Sequence, residues 1–267
     1  MNELQGPLYH KDRRYVSSSQ LKMLLSDPEE HYRRYILNEP QEAKDYYDFG
    51  TYIHALFLEP ETVADSFVFS ETLERKGPSW DRLVAENPSK TCLSKLQRQQ
   101  AQQVYDLVVK APIRLHNGQE IILSIKDLLT GGEAECTHVI ENALCRGAKG
   151  LKVRCDYKGT LFGKPTIYDI KTMSDSLTMV NIRKVCEKYE YALSAAMYQD
   201  VVKQSTGIDH DFVFIFINKS PRSESDAIRV VKASELFLHK GRAQYMYAIH
   251  KYELAMKTNN LLTLMEV

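Results

Sequence analysis

The chain has 267 residues, 43% of them hydrophobic and 26% charged, with 35 basic side chains against 35 acidic ones. That apolar share supports a substantial core and argues against a disordered or fibrous chain, and a zero net charge gives by itself no hint of a polyanionic partner. The longest apolar runs, such as Phe212 to Ile217, fall far short of the ~20 residues a membrane helix needs, so no span is predicted.

In chain order, residues 16 to 38 begin with Ser17-Ser18-Ser19 and carry Leu21, Leu24, Leu25, Tyr32, Tyr35 and Ile36 near the helical period, broken at Asp27-Pro28. Two short helices joined at the proline are expected. A further helix is predicted over Gly50 to Leu58, ending before Glu59-Pro60. Residues 70 to 90 hold Gly77-Pro78-Ser79 and Asn87-Pro88-Ser89 and read as an exposed connection. Ser94 to Val109 is glutamine-rich with Leu96, Val104, Leu107 and Val108 on one side, the pattern of a long surface helix.

From about Ile121 the pattern turns to strands: Glu133 to Ile140, Leu151 to Tyr157, Thr166 to Thr172 and Phe212 to Ile217. A helix is expected between the last two, from Asn181 to Gln204, and an amphipathic helix from Ser234 to Lys257 closes the order. Three strands, a helix and another strand, with helices before and after, make an α/β domain with a mixed sheet. Length alone suits either one large domain or two small ones, and one elaborated domain over 1–267 is expected: a mainly helical N-terminal elaboration to 120, a core over 121–220, and a C-terminal strand and helix over 221–267. The five cysteines (92, 136, 145, 155 and 186) include no Cys-x-x-Cys pair. A zinc knuckle or iron–sulfur cluster thus lacks its ligands, and buried free thiols are expected. The N-terminus shows no secretory pattern, and together with the cysteines this points to the cytoplasm.

Charge is uneven along the chain. Between Arg146 and Lys171 stand seven basic residues (146, 149, 152, 154, 158, 164 and 171) against Asp156 and Asp169 alone. Such an excess suits phosphate binding, and equally suits a solvated hairpin face. Alternation on a strand puts Lys152, Arg154 and Asp156 on one face and Leu151, Val153 and Cys155 on the other. The same interval puts Asp169 and Lys171 together, with Ile170 directed into the core. The nine residues Tyr157 to Pro165 are expected to form the hairpin connection that sets Asp156 near Asp169. Two carboxylates converging from adjacent strands offer a hard oxygen site suited to Mg2+, with Mn2+ able to substitute. A lysine two residues beyond the second carboxylate would stand beside the attacking water, to orient it or help deprotonate it, so the three groups suffice for phosphodiester hydrolysis. Spacing alone leaves a plain polar hairpin open as the alternative.

Other segments carry a resemblance. Phe49-Gly-Thr-Tyr-Ile-His-Ala-Leu-Phe-Leu-Glu-Pro-Glu61 resembles the histidine segment of the RecE (exonuclease VIII) C-terminal nuclease family, within the PDDEXK restriction-endonuclease-like superfamily. Gly132 to Glu135, Lys152 to Asp156, Tyr168 to Thr172, Tyr191 to Asp200 and Phe212 to Ile215 follow in that family's order, and Ser17 to Lys22 with Asp27-Pro28 is similar to its start.

The resemblance implies a PDDEXK core, a central mixed β-sheet flanked by helices with an N-terminal helical elaboration. It implies that His54, Asp156 and Asp169 ligate the metal with the backbone carbonyl of Ile170, that Lys171 is the catalytic lysine, and that Glu135 is the additional acid, with Glu133 as its rival. Taken alone, a histidine on an apolar helix is more often a hydrogen-bonded core residue than a ligand. Where the family usually carries a glutamine four residues before the helix tyrosine, this chain has Ser194 ahead of Tyr198; Gln199 is the expected substitute, and Tyr198 the candidate to face DNA. Lys152, Arg154 and Lys158 are the first basic residues expected to meet DNA.

The resemblance further implies 5′-to-3′ digestion of linear double-stranded DNA from its ends, leaving a 3′ strand for recombination. With it come a single-strand annealing partner of the RecT type, a ring-like homo-oligomer, and a bacterial or prophage origin. Two other classes compete: a single-strand- or structure-specific repair nuclease of the same superfamily, and a DNA-binding subunit that has lost turnover. Retention of Asp156, Asp169 and Lys171 argues against the second.

Overall fold

The computed structural model describes residues 9, 11–39, 45–116, 118–141 and 148–258. Cys145 and Arg146 lie outside them. The chain enters through β1 (Tyr15–Ser17), and the Ser17–Gln20 capping box opens α1 (Ser18–Ser26). Asp27 then caps a four-residue helix with Pro28 in its first turn, continuing as a π-helical turn over Tyr32–Ile36. The proline therefore separates two helices, because a missing N–H costs nothing at a helix start. The histidine segment lies on α2 (Asp45–Leu58).

Residues 70 to 90 depart from expectation. A short parallel pair, β2 (Phe67–Phe69) with β3 (Thr91–Leu93), flanks a helix over Pro78–Glu86 whose Trp80 is buried. Pro78 marks the start of that helix and not a loop. Next come α3 (Lys95–Lys110), capped by Ser94 and Gln97, and a hairpin of β4 (Ile113–His116) with β5 (Glu120–Leu123).

The central sheet adds β6 (Glu133–Glu141), β7 (Gly150–Leu161), β8 (Lys164–Met173), β9 (Asp211–Asn218) and β10 (Ile228–Lys232) to β1. β7 pairs antiparallel with β6 along one edge. Its other edge is shared: β1 runs parallel to residues 150–152, and β8 pairs antiparallel from Tyr157↔Tyr168 to Leu161↔Lys164. The connection between β7 and β8 is shorter than expected, a two-residue turn of Phe162 and Gly163 with φ of 52° and 76°, the positive-φ geometry that fits a tight hairpin. β9 lies parallel to β8 and antiparallel to β10, so the sheet is mixed.

β9 shows why both faces are covered. Phe212, Phe214 and Phe216 join one buried cluster while Val213, Ile215 and Ile217 join the other. A strand apolar on both sides must be roofed on both sides. One face packs α1, α4 (Met179–Lys188), α5 (Tyr191–Thr206) and α6 (Glu235–Thr258); the other packs α2 and α3. The expected single helix over Asn181 to Gln204 is two, divided at Glu190, whose φ is 50°. α5 and α6 approach closely: a Cβ on Gly241 would lie 1.9 Å from the Ala192 carbonyl oxygen. The four described cysteines are buried free thiols.

Candidate active site

The site forms where β7 and β8 part. Beyond the Tyr157↔Tyr168 pair the ladder stops, leaving backbone groups of β8 that β7 does not satisfy. Asp156 fills the gap: its Oδ2 accepts the Ile170 amide at 2.7 Å. On the opposite edge, Ala134↔Tyr157 and Cys136↔Cys155 are paired, so Glu135 stands across from Asp156. Glu135 has a φ of 51°, a left-handed conformation that costs a non-glycine residue on the order of 1 kcal/mol and often marks functional positions. α2 delivers His54 from the face it covers, its Nδ1 3.7 Å from Asp156 Oδ2.

Ligand atoms of His54, Glu135 and Asp156 lie within 4.8 Å of one another. Glu133 is turned outward, with Lys158 3.5 Å away; of the two acids it is Glu135 that joins the cluster. Burial, and after it the Asp156 carboxylate, pushes the Glu135 carboxyl up to about 7. Two carboxylates pressed together with an imidazole beside them present the oxygen and nitrogen donors that a hard divalent cation takes. The donor set therefore fits such an ion.

Asp169 and Lys171 point to the face carrying α4 and α5, one residue to either side of buried Ile170. Lys171 Nζ lies 2.6 Å from Asp169 Oδ2 and donates to the Ile170 carbonyl at 3.4 Å. Asp169 is pushed up by burial, against the pull of Lys171. For Lys171, burial acts downward, but Asp169 and then Asp156 outweigh it and hold the ammonium above its ordinary value. Lys171 is thus a cation at neutral pH, suited to orienting a nucleophile or neutralising phosphate and not to taking a proton. Asp169 is not part of the cluster within 4.8 Å; it meets it through its charge interaction with Asp156.

The basic residues expected to face DNA are mostly committed elsewhere. Lys152 is only 2% exposed and donates to the carbonyls of Tyr9 at 2.5 Å and Asp12 at 2.6 Å. It is a structural cation, because β1 and the chain before it cover that stretch of β7. Arg154 lies 2.5 Å from Glu135 and 3.8 Å from Glu59, so it steadies an acid of the site. Lys158 donates to His138 at 2.9 Å. Tyr198 is half-buried, edge-on to Phe212 at 6.2 Å. Gln199 is held at both ends, donating to the His210 carbonyl at 2.6 Å and accepting from Arg242 at 3.1 Å.

Two groups that spacing did not single out for chemistry stand beside Lys171. Tyr191 has the Lys171 Nζ 5.5 Å from its ring centroid and the Lys22 Nζ 5.7 Å from it. Burial, and after it Lys171, lowers the Lys22 ammonium to about 8. The opening motif ends on Lys22 and the helix segment begins on Tyr191, but only the packing of α1 against the sheet shows that they meet.

Among solved structures, the chain is similar to the protein named "Putative exonuclease" from Eubacterium rectale, with a TM-score of 0.61 and 16% identity over 96% of this chain and 87% of that one. At that identity the likeness shows the fold alone. A second similarity, to SSO0001, has a TM-score of 0.30 and 14% identity, covers 74% of this chain and 85% of that one, and carries no argument. No curated protein matches. Among the described residues no helix is long and apolar enough to cross a membrane. Residues 17–261 match the family described as a PDDEXK-like domain of unknown function (DUF3799). Spanning nearly all of the sheet and both helical layers, that match shows that the chain belongs to this family of PDDEXK-like domains.

Proposed function

We propose that this protein is a DNA exonuclease dependent on a divalent metal. The observation that carries the reading is the cluster of His54, Glu135 and Asp156, with donor atoms within 4.8 Å, beside the Asp169–Lys171 pair. Bound there, Mg2+ or Mn2+ would neutralise the scissile phosphate and acidify the attacking water. The protein's own groups do the rest. The Ile170 amide fixes the Asp156 carboxylate, Arg154 fixes Glu135, and Lys171 presents its ammonium next to Asp169. The resemblance adds Asp169 and the Ile170 carbonyl as further ligands.

The finer assignment rests on the RecE resemblance: 5′-to-3′ digestion of linear duplex ends, a 3′ strand passed to a RecT-type annealing protein, a ring of identical copies, and a bacterial or prophage cytoplasmic setting. The test is end dependence. Linear duplex is expected to be degraded with Mg2+ or Mn2+ while closed circles survive, and Ca2+ is expected to bind without cleavage. Equal attack on closed circles would overturn the exonuclease assignment, and hydrolysis persisting in excess chelator would overturn the metal-dependent site.

A further inference from the structure

We infer that Lys22, Tyr189 and Tyr191 form a cradle for one unpaired nucleotide of the strand being cut, with Lys22 on a phosphate and Tyr189 under a base. The inference deepens the nuclease reading and rests on it.

The corner between α4 and α5 presents two tyrosines as a stack. Tyr189 and Tyr191 have ring centroids 5.8 Å apart at 23°, and Tyr191 stacks in turn on Phe214 of β9 at 5.8 Å and 24°. The outer end of this column reaches solvent, Tyr189 being 49% exposed with Lys188 as the side chain over its ring. Its inner end is fixed in the core. Between the two tyrosines Glu190 takes its left-handed φ of 50°, backbone strain that the chain tolerates at the corner bringing the rings together.

Cations surround the column. Lys171 and Lys22 lie 5.5 and 5.7 Å from the Tyr191 centroid, and Lys188 lies 5.2 Å from that of Tyr189. Lys22 donates to the Tyr189 carbonyl at 3.3 Å; an ammonium has three donors, which leaves two for a ligand. Glu190 is the acid facing Lys22 on this corner, and its own carboxyl is raised by burial. An exposed aromatic face flanked by lysines is the combination that holds single-stranded nucleic acid: the ring stacks any base, and the cations follow the backbone. A base inside a duplex, covered on both faces by its neighbours, cannot lie on Tyr189; in the proposed cradle the nucleotide has left its partner. Lys188, resting over the ring, would give way to the base and move to its phosphate.

The experiment measures binding of a short fluorescent oligothymidylate in Ca2+ by anisotropy, alongside hydrolysis in Mg2+. Tyr189→Ala and Lys22→Met are each expected to weaken binding about tenfold, within the 1–3 kcal/mol range of base stacking, while Tyr189→Phe and Lys22→Arg stay near wild type. Hydrolysis by Tyr189→Ala is expected to show a raised KM with kcat less affected. Wild-type binding by Tyr189→Ala, or equal weakening by Tyr189→Phe, would overturn the cradle. Should Lys22→Met fail to fold, the half-exposed Tyr189 pair still decides. Failure of the nuclease reading is seen separately, as absence of hydrolysis by the wild type in either metal.

Discussion

The Asp156 carboxylate accepts the Ile170 amide across the parting of β7 and β8, at 2.7 Å. One side chain thus serves the backbone where the ladder stops and faces His54 and Glu135 with the same carboxylate. Structure and chemistry can be separated there. Asp156→Asn keeps an acceptor for the amide and removes the charge, whereas Asp156→Ala removes both. Both variants are expected to lose hydrolysis, and only the alanine variant to lose about 1–3 kcal/mol of stability through the orphaned N–H. Denaturant titration beside a nuclease assay checks this; equal stabilities would remove the hydrogen bond's role.

Lys171 is half-buried and its partner Asp169 is buried, so the loss of the lysine is not silent in the fold. Lys171→Met is expected to reduce hydrolysis at least a hundredfold and to cost about 3–5 kcal/mol in metal-free buffer, because Asp169 is left buried and uncompensated. Adding Mn2+ is expected to restore part of that stability. A variant as stable as wild type in the presence of chelator would contradict the pairing.

Glu135 predicts a pH dependence. Its carboxyl sits at about 7 in the fold against an ordinary value of 4.5, so the folded state holds the proton more tightly than the unfolded one. The stability it contributes is complete below about 4.5 and is lost as pH rises through about 7, a change of about 3 kcal/mol. A bound divalent ion requires the deprotonated acid and reverses the sense. Mn2+ is therefore expected to raise the melting temperature more at pH 8 than at pH 6, with proton release on binding. Equal shifts at the two pH values would exclude Glu135 as a ligand.

Gly241 permits the close contact of α5 and α6. Gly241→Ala would set a Cβ 1.9 Å from the Ala192 carbonyl oxygen and 2.9 Å from the Ala196 Cβ. The helices must then separate, at an expected cost of about 1–3 kcal/mol. Thermal melting reads the loss; an unchanged melting temperature would show that the contact can relax freely.

Much of this architecture could be read from residue patterns. Alternation in β7, β8 and β9 is local, so the strands, the shared face of Asp169 and Lys171, and the apolar β9 were all visible as spacing. What escaped was set by distant segments. Lys152 and Arg154 look alike along β7, yet one is buried by the chain at Tyr9 and Asp12 and the other is held by Glu135 and Glu59. Trp80 and its helix were hidden between two Pro-containing turns, because a proline that starts a helix is spelled like one that ends it. The division of α4 from α5 turns on the left-handed backbone of Glu190, which an ordinary acidic residue does not announce.

The burial of Lys152 bears on where this protein can be trimmed. The family match begins at residue 17, an inviting place to start a shortened clone. A chain cut there would lose Tyr15 and Val16 of β1 together with Tyr9 and Asp12, so Lys152 would face water without its two carbonyl partners, the buried contacts of Val16 would be gone, and the edge of β7 that pairs with β1 would lie open. Expression designs that retain the leading segment should stay soluble where the minimal version precipitates.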